Sequence, residues 1–145
     1  MQEVRSQFET NFFGAVRVMQ AVIPVMRKQR NGRIVNIASI GGRIAFPFDS
    51  IYQATKFALE GVSDSIQYEV GSFGIKIILI EPGTVGSSFW KNLKMAKKAS
   101  DSNHSPYKQL TDTMWQAFKK MMENTTPPSE VARVIVEAVT SDTLT

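Results

Sequence analysis

Arg33-Ile34-Val35-Asn36-Ile37-Ala38 and Ile75-Lys76-Ile77-Ile78-Leu79-Ile80, with a helical stretch at 51–72 between them, decide the fold. Both short runs are rich in β-branched side chains and read as buried strands of a parallel sheet. Between them Ile51, Ala54, Phe57, Ala58, Val62, Ile66 and Val70 recur at helical spacing, and Gly74 stops that helix. A helix between two apolar strands is a βαβ unit, whose crossover is expected to be right-handed. The class is α/β with a parallel sheet.

Upstream, residues 2–29 predict one long helix. Phe8, Phe12, Ala15, Val16, Met19, Val22, Ile23 and Met26 carry its apolar stripe. The stripe is wide, so much of the helix is expected to be buried. Pro24 removes a backbone donor near the last turn, and Asn31-Gly32 is expected to end the helix. Downstream, residues 86–105 are polar and rich in Lys and Ser, as in a lid or a flexible loop. Leu110, Met114, Trp115, Phe118 and Met121 predict a helix over 107–122, with Trp90 and Trp115 as packing residues. Pro127-Pro128-Ser129-Glu130 opens a last helix from Val131 to Val139, and the polar tail 140–145 is expected to fray.

Composition narrows the function. A chain of 145 residues suits one domain, 1–145. It has no cysteine, which excludes disulfides and thiolate metal sites. Its single histidine, His104, excludes a histidine metal cluster. No apolar run is long enough to span a bilayer. Glu3, Arg5, Glu9 and Arg17 in the first twenty residues argue against a leader, so a cytoplasmic protein is expected. The net charge is +4, and Lys91, Lys94, Lys97 and Lys98 cluster. That cluster reads as a solvated surface and not as a nucleic-acid site, with anion binding as the open rival.

Four residues carry the chemistry: Asn11, Ser39, Tyr52 and Lys56. Ser39 follows the first strand, and in open α/β sheets ligands sit outside the carboxyl ends of the strands. Tyr52 and Lys56 are four apart at the start of the next helix, hence on one face. Free tyrosine has a pKa of about 10, too high for a base near neutrality. A nearby ammonium favours the phenolate, and a serine hydroxyl can both donate and accept. Together they suit removal of a proton from an alcohol, or its return to a carbonyl, while hydride moves to or from a cofactor. None of these side chains carries hydride, so the chemistry calls for a bound nicotinamide.

Four motifs in order, Thr10-Asn11-Phe12-Phe13-Gly14, Gly32 to Ser39, Tyr52-Gln53-Ala54-Thr55-Lys56-Phe57-Ala58-Leu59-Glu60-Gly61 and Glu81-Pro82-Gly83, resemble the short-chain dehydrogenase/reductase family over about residues 3–140. The resemblance implies a Rossmann-like doubly wound parallel sheet and NAD or NADP as cofactor. It assigns Tyr52 as acid/base and Lys56 to lowering the tyrosine pKa and holding the nicotinamide ribose. It gives Ser39 the substrate oxygen and Asn11 a water leading from Lys56. Pro82, Gly83 and Val85 would meet the nicotinamide carboxamide, Ser87 stands where the family usually has a threonine, and 86–123 would form the substrate lid. It also implies a homodimer or homotetramer acting on an alcohol or carbonyl, and the run from Tyr52 to Gly61 looks most like members that take hydrophobic alcohols.

The same resemblance expects a strand, a Gly-rich turn and a helix ahead of the helix carrying Asn11, and a last strand after the final helix. No Gly-x-Gly-x-x-Gly turn occurs in these 145 residues. The match is therefore to the C-terminal catalytic portion of the family, short at both ends. By themselves these residues are expected to bind NAD or NADP only weakly, with dissociation constants of about 1 mM or above. A non-catalytic interaction module of the same family is the rival reading, and cofactor binding discriminates the two.

Overall fold

The computed structural model describes residues 1–92 and 105–141, Trp90 by its backbone alone. In chain order run α1 (Gln2–Phe8), a π-helical turn (Glu9–Phe13), α2 (Gly14–Gln29), β1 (Gly32–Ile37), α3 (Ser50–Val70), β2 (Ile75–Ile80), α4 (Lys108–Met122) and α5 (Pro128–Thr140). Short 3₁₀ turns lie at Ile40–Gly42, Gly71–Phe73 and Trp90–Asn92. β1 and β2 pair in parallel, from Gly32 opposite Ile75 to Ile37 opposite Ile80. With α3 between them they form the βαβ unit that the sequence predicts.

Two helix ends set that register. Asn31-Gly32 is not what stops α2: Arg30 turns left-handed first, at φ 54°. Gly74 turns left-handed after α3, at φ 75°, and a Cβ there would press into the Arg30 carbonyl. The two reversals therefore rest on each other, and each feeds its strand. Arg27 and Arg30 hold their guanidinium carbons 5.9 and 5.6 Å from the centre of the Phe73 ring, and Arg30 Nη2 donates to Ser72 O at 3.0 Å. Near the other end of the chain Arg33 Nη1 donates to the carbonyls of Val139 (2.8 Å) and Ser141 (2.6 Å). It thereby meets the acceptors left over where α5 finishes.

Burial departs from the sequence reading in two places. Of the wide stripe on 2–29, Met19 is buried and the other seven positions are half-buried, while Phe13, Val18 and Val25, which lie outside the stripe, are exposed. The face of a two-stranded sheet is narrow; α2 meets β1 through Met19, beside Asn36, and Met26, against Gly32. On α3 the expected stripe is also displaced, since Ala54 and Phe57 are exposed. Its buried positions include Gln53, Thr55, Glu60 and Ser63 beside Leu59 and Val70. Polar side chains tolerate burial when they are partnered, and three of these four are hydrogen-bonded. Gln53 bonds the backbone of Phe46, Thr55 bonds Asn11, and Ser63 Oγ accepts from Asn36 Nδ2 at 2.8 Å. Ser63→Ala strands the buried Asn36 amide. The expected loss is about 1–3 kcal/mol, read as a lower urea midpoint at unchanged slope.

The expected single helix over 2–29 is interrupted. Glu9–Phe13 is a π turn between α1 and α2, and Asn11 lies at its middle. Such turns often mark functional positions. The spacing of apolar residues carries no trace of it.

The chain divides into two compact units, one of residues 1–83 with 132–145 and the other of residues 84–131. Within the second, Val85 forms a parallel bridge with Thr126. Gly86 N donates to Thr126 O at 3.0 Å and Thr126 N to Thr84 O at 2.9 Å. On α4, Trp115 meets Phe118 edge-on, ring centres 5.6 Å apart. The expected lid, 86–123, falls inside this unit. Lys94, Lys97, Lys98 and His104 lie outside the described residues, as does the tail from 142.

Candidate active site

The site begins where β1 stops. Ala38 N donates to Ile80 O at 2.8 Å, so the strands stay paired one residue past the last ladder position. Ser39 is extended and caps the following 3₁₀ turn, its Oγ accepting from Gly41 N at 3.1 Å. Ile40 N then donates to Pro82 O at 3.1 Å, which ties the segment after β1 to the segment after β2. Ser39, Pro82 and Gly83 thus share the carboxyl end of the sheet, where open α/β folds place ligands. A Cβ at Gly83 would meet nothing within 4 Å, so the space beside it is open.

Tyr52 and Lys56 enter on the first turns of α3. The loop before them is held by Gln53, whose amide mimics a strand neighbour. Its Oε1 accepts from Phe46 N at 2.8 Å and its Nε2 donates to Phe46 O at 2.9 Å. Phe48, between these points, has φ 65°, a conformation rare for a bulky residue. The Gln53 clamp helps hold that strained turn ahead of the helix.

The Tyr52 phenol lies within the influence of the Ser39 hydroxyl, which favours its ionised form. Lys56 Nζ stands 5.7 Å from the centre of the Tyr52 ring and donates to Ile37 O at 2.8 Å. Burial pushes the Tyr52 phenol up from its ordinary value; the Ser39 hydroxyl offsets part of this and the charge of Asp49 adds to it. Burial likewise pushes the Lys56 ammonium down, against the pull of Glu60. The lowering of the tyrosine pKa that a lysine neighbour implies is therefore not what this site shows. Lys56 faces the ring and the Ile37 carbonyl, and desolvation favours the neutral form of each partner.

Asn11 joins from behind. Its Nδ2 donates to Thr55 Oγ1 at 3.2 Å, and Thr55 Oγ1 donates to the Tyr52 carbonyl at 2.6 Å. Thr55 is fully buried, and sequence reading overlooks it. It stands about 60° round the helix from Tyr52 and about 100° from Lys56, beside their face, where only a partner such as Asn11 reveals its use. Gln53 was overlooked in the same way. Val85 and Ser87 belong to the second unit. There Val85 O accepts from Ser87 N at 2.8 Å, and Ser87 Oγ accepts from Phe89 N at 3.3 Å.

A family profile described as short chain dehydrogenase matches residues 1–98. The chain belongs to this family. It is 33% identical over 141 residues to an uncharacterized oxidoreductase of Schizosaccharomyces pombe, covering 97% of this chain and 58% of that protein. It is 36% identical to retinol dehydrogenase 8 of Bos taurus, covering 95% of this chain and 46% of the relative. Its fold is that of acetoin dehydrogenase from Enterobacter cloacae, with a TM-score of 0.70 at 22% identity over 98% of this chain and 49% of the other. The chain spans about half the length of the curated relatives it matches. Among its described residues no helix is long and apolar enough to cross a membrane, and no cluster of His, Cys, Asp or Glu could hold a metal ion.

Proposed function

We propose that this chain supplies the catalytic half of an NAD(P)-dependent oxidoreductase that interconverts an alcohol and a carbonyl, with Tyr52 as acid/base. The observation that carries this reading is Lys56 Nζ 5.7 Å from the centre of the Tyr52 ring, with Ser39 acting on the phenol, at the carboxyl end of two parallel strands. In reduction the Tyr52 phenol, which holds its proton here, gives it to the carbonyl oxygen; oxidation runs the same transfer backwards, from the phenolate. Ser39 donates to the same oxygen and fixes its distance from the phenol. A bound nicotinamide cofactor supplies the hydride acceptor or donor.

The residues present fit the ribose end of such a cofactor. Lys56 offers an ammonium and Tyr52 a phenol at one point, and Gly83 leaves room beside the sheet. Lys56 would turn from Ile37 O to the ribose hydroxyls, and Pro82 and Gly83 would face the nicotinamide; the family resemblance adds Val85 and Ser87, which belong to the second unit. Asn11 supports the turn carrying Tyr52 through Thr55. The name of the Bos taurus relative, retinol dehydrogenase 8, favours a hydrophobic alcohol. A homodimer or homotetramer in the cytoplasm completes the reading.

Turnover followed through the absorbance of reduced nicotinamide, with NAD and NADP against a series of hydrophobic alcohols, tests it. Ser39→Ala is expected to slow turnover by about 10²–10³-fold, the usual cost of losing one aimed donor. An unaffected rate would remove Ser39 from the site.

The direction of the Tyr52 shift has its own consequence. The folded phenol holds its proton above the unfolded value of 10.0. The protonated form therefore favours the fold below pH 10, and that contribution is lost as pH rises through the folded value. Subtracting the alkaline absorbance titration of Tyr52→Phe from that of the unaltered protein isolates this phenol. It is expected to ionise above the ordinary tyrosine value of about 10, so a midpoint near neutrality would contradict the burial argument.

A further inference from the structure

The turn that begins at Ser39 ends on Arg43, and the Arg43 guanidinium reaches two other segments. Its Nε and Nη2 donate to Glu81 Oε1 at 3.1 and 2.9 Å, and Nη2 also stands 3.1 Å from Glu60 Oε2. Glu81 is the residue between β2 and Pro82. Glu60 lies on α3, two helical turns beyond Tyr52, and is buried at 4% exposure. One guanidinium therefore joins the segments that leave both strands to the helix that carries Tyr52 and Lys56. A carboxylate as buried as Glu60 keeps its charge only against a partner, so Arg43 is drawn onto α3.

Two backbone features hold the same parts. Ile40 N donates to Pro82 O at 3.1 Å, across the gap between the two strand ends. A Cβ at Gly42 would come 2.9 Å from Glu60 Cγ and 3.1 Å from Lys56 O, so only a glycine lets the turn lie flat on α3. The turn thus rests on the helix below and on Pro82 beside it, and Arg43 fastens both contacts. A surface ion pair adds little stability by itself. Charge-assisted bonds from one planar group to two segments instead fix their relative direction. What they fix here is the gap between Ser39 and Gly83.

We propose that Arg43 is a positioning residue: by holding Glu81 and Glu60 together it fixes Pro82-Gly83 against the Ser39 turn, and so sets the distance at which a substrate oxygen on Ser39 faces a nicotinamide beside Gly83. It acts through Glu81 and not on substrate or cofactor. The proposal rests on the roles proposed above for Ser39 and Gly83, and it deepens that reading.

Hydrogen exchange followed by NMR in the purified protein reads the gap directly. The Ile40 amide, bonded to Pro82 O, reports on the fastening. The amides of Ala38, bonded to Ile80 O, and Gly42, bonded to Ser39 O, report on the sheet and on the turn itself. Glu81→Ala changes a surface residue and leaves the pair of Arg43 with buried Glu60 intact. It should speed exchange at Ile40 by about tenfold relative to both references, as a local opening does. Arg43→Met should do the same; if it does not fold, because it strands Glu60, the Glu81 variants decide. Glu81→Gln keeps an oxygen that accepts from the guanidinium and should restore the Ile40 rate. In an active protein carrying this sequence, kcat should fall by about 10–10²-fold in Glu81→Ala, as when reacting groups are misplaced by about 1 Å, and recover in Glu81→Gln. An Ile40 rate unmoved by Glu81→Ala overturns the proposal. So do equal gains at Ala38, Ile40 and Gly42, which mere loss of stability would give, and so does an undiminished kcat. Exchange needs no turnover, so its failure leaves the Tyr52 assignment standing. A Tyr52→Phe variant at full rate would remove that assignment and leave the exchange pattern as it is.

Discussion

Tyr52→Phe, in an active protein carrying this sequence, is expected to lower turnover by about 10²–10⁴-fold, the span that one positioned acid/base usually contributes. The change removes a single oxygen. The ring stays, so the packing of the first turns of α3, the clamp from Gln53 to Phe46 and the approach of Lys56 to the ring persist. Thr55 bonds the Tyr52 carbonyl, not its side chain, so the link to Asn11 persists too. The loss should therefore fall on kcat, with KM for cofactor nearly unchanged, as expected for an interaction made in the transition state alone. Steady-state kinetics with both constants resolved makes the check. A variant that keeps its rate, or loses only cofactor affinity, would send the search for the proton donor elsewhere.

Gly74→Val should cost more than about 3 kcal/mol of stability. A non-glycine residue held left-handed costs about 1–3 kcal/mol by itself. Here the added carbon also runs into the Arg30 carbonyl, which is backbone at the end of α2 and cannot swing aside. Relief requires moving α2 or slipping β2 against β1, and one residue of slip turns every side chain of a strand to the other face. Against a typical total of about 5–15 kcal/mol, this is a large fraction. Gly61→Ala is the control: the same kind of change in α3, where a Cβ meets nothing within 4 Å. It should gain about 0.5–1 kcal/mol from helix entropy. Thermal and urea unfolding of the two variants should move in opposite directions. Equal shifts would deny that the two helix ends rest on each other.

The strands were readable because short β-branched runs have few other uses, and β2 occupies 75–80 as expected while β1 begins one residue earlier, at Gly32. Ser39, Tyr52 and Lys56 were readable because strand ends and helix starts bring them to one place. The buried face of α3 was not. Counting apolar residues points to Ala54 and Phe57, yet the sheet and loops select Gln53, Thr55 and Ser63. Thr55 and Ser63 satisfy groups far off in sequence and Gln53 one in the preceding loop, and such pairings leave no periodic trace. Glu60 escaped for the same reason: its ion pair with Arg43, which Glu81 shares, joins three segments distant in sequence.

The π turn at Glu9–Phe13 also bears on how the chain tolerates insertion and deletion. A π turn is an α-helix that has taken in one additional residue without passing the extra rotation on to its flanks. Removing one residue between Glu9 and Phe13 would leave α1 and α2 with the faces they already present, now as one regular helix. What would vanish is the local widening at Asn11, and with it the reach to Thr55. The same deletion inside α2 would instead rotate everything on one side of it by about 100°. The helix thus contains a segment where a lost codon is nearly silent for packing and audible only at the back of Tyr52.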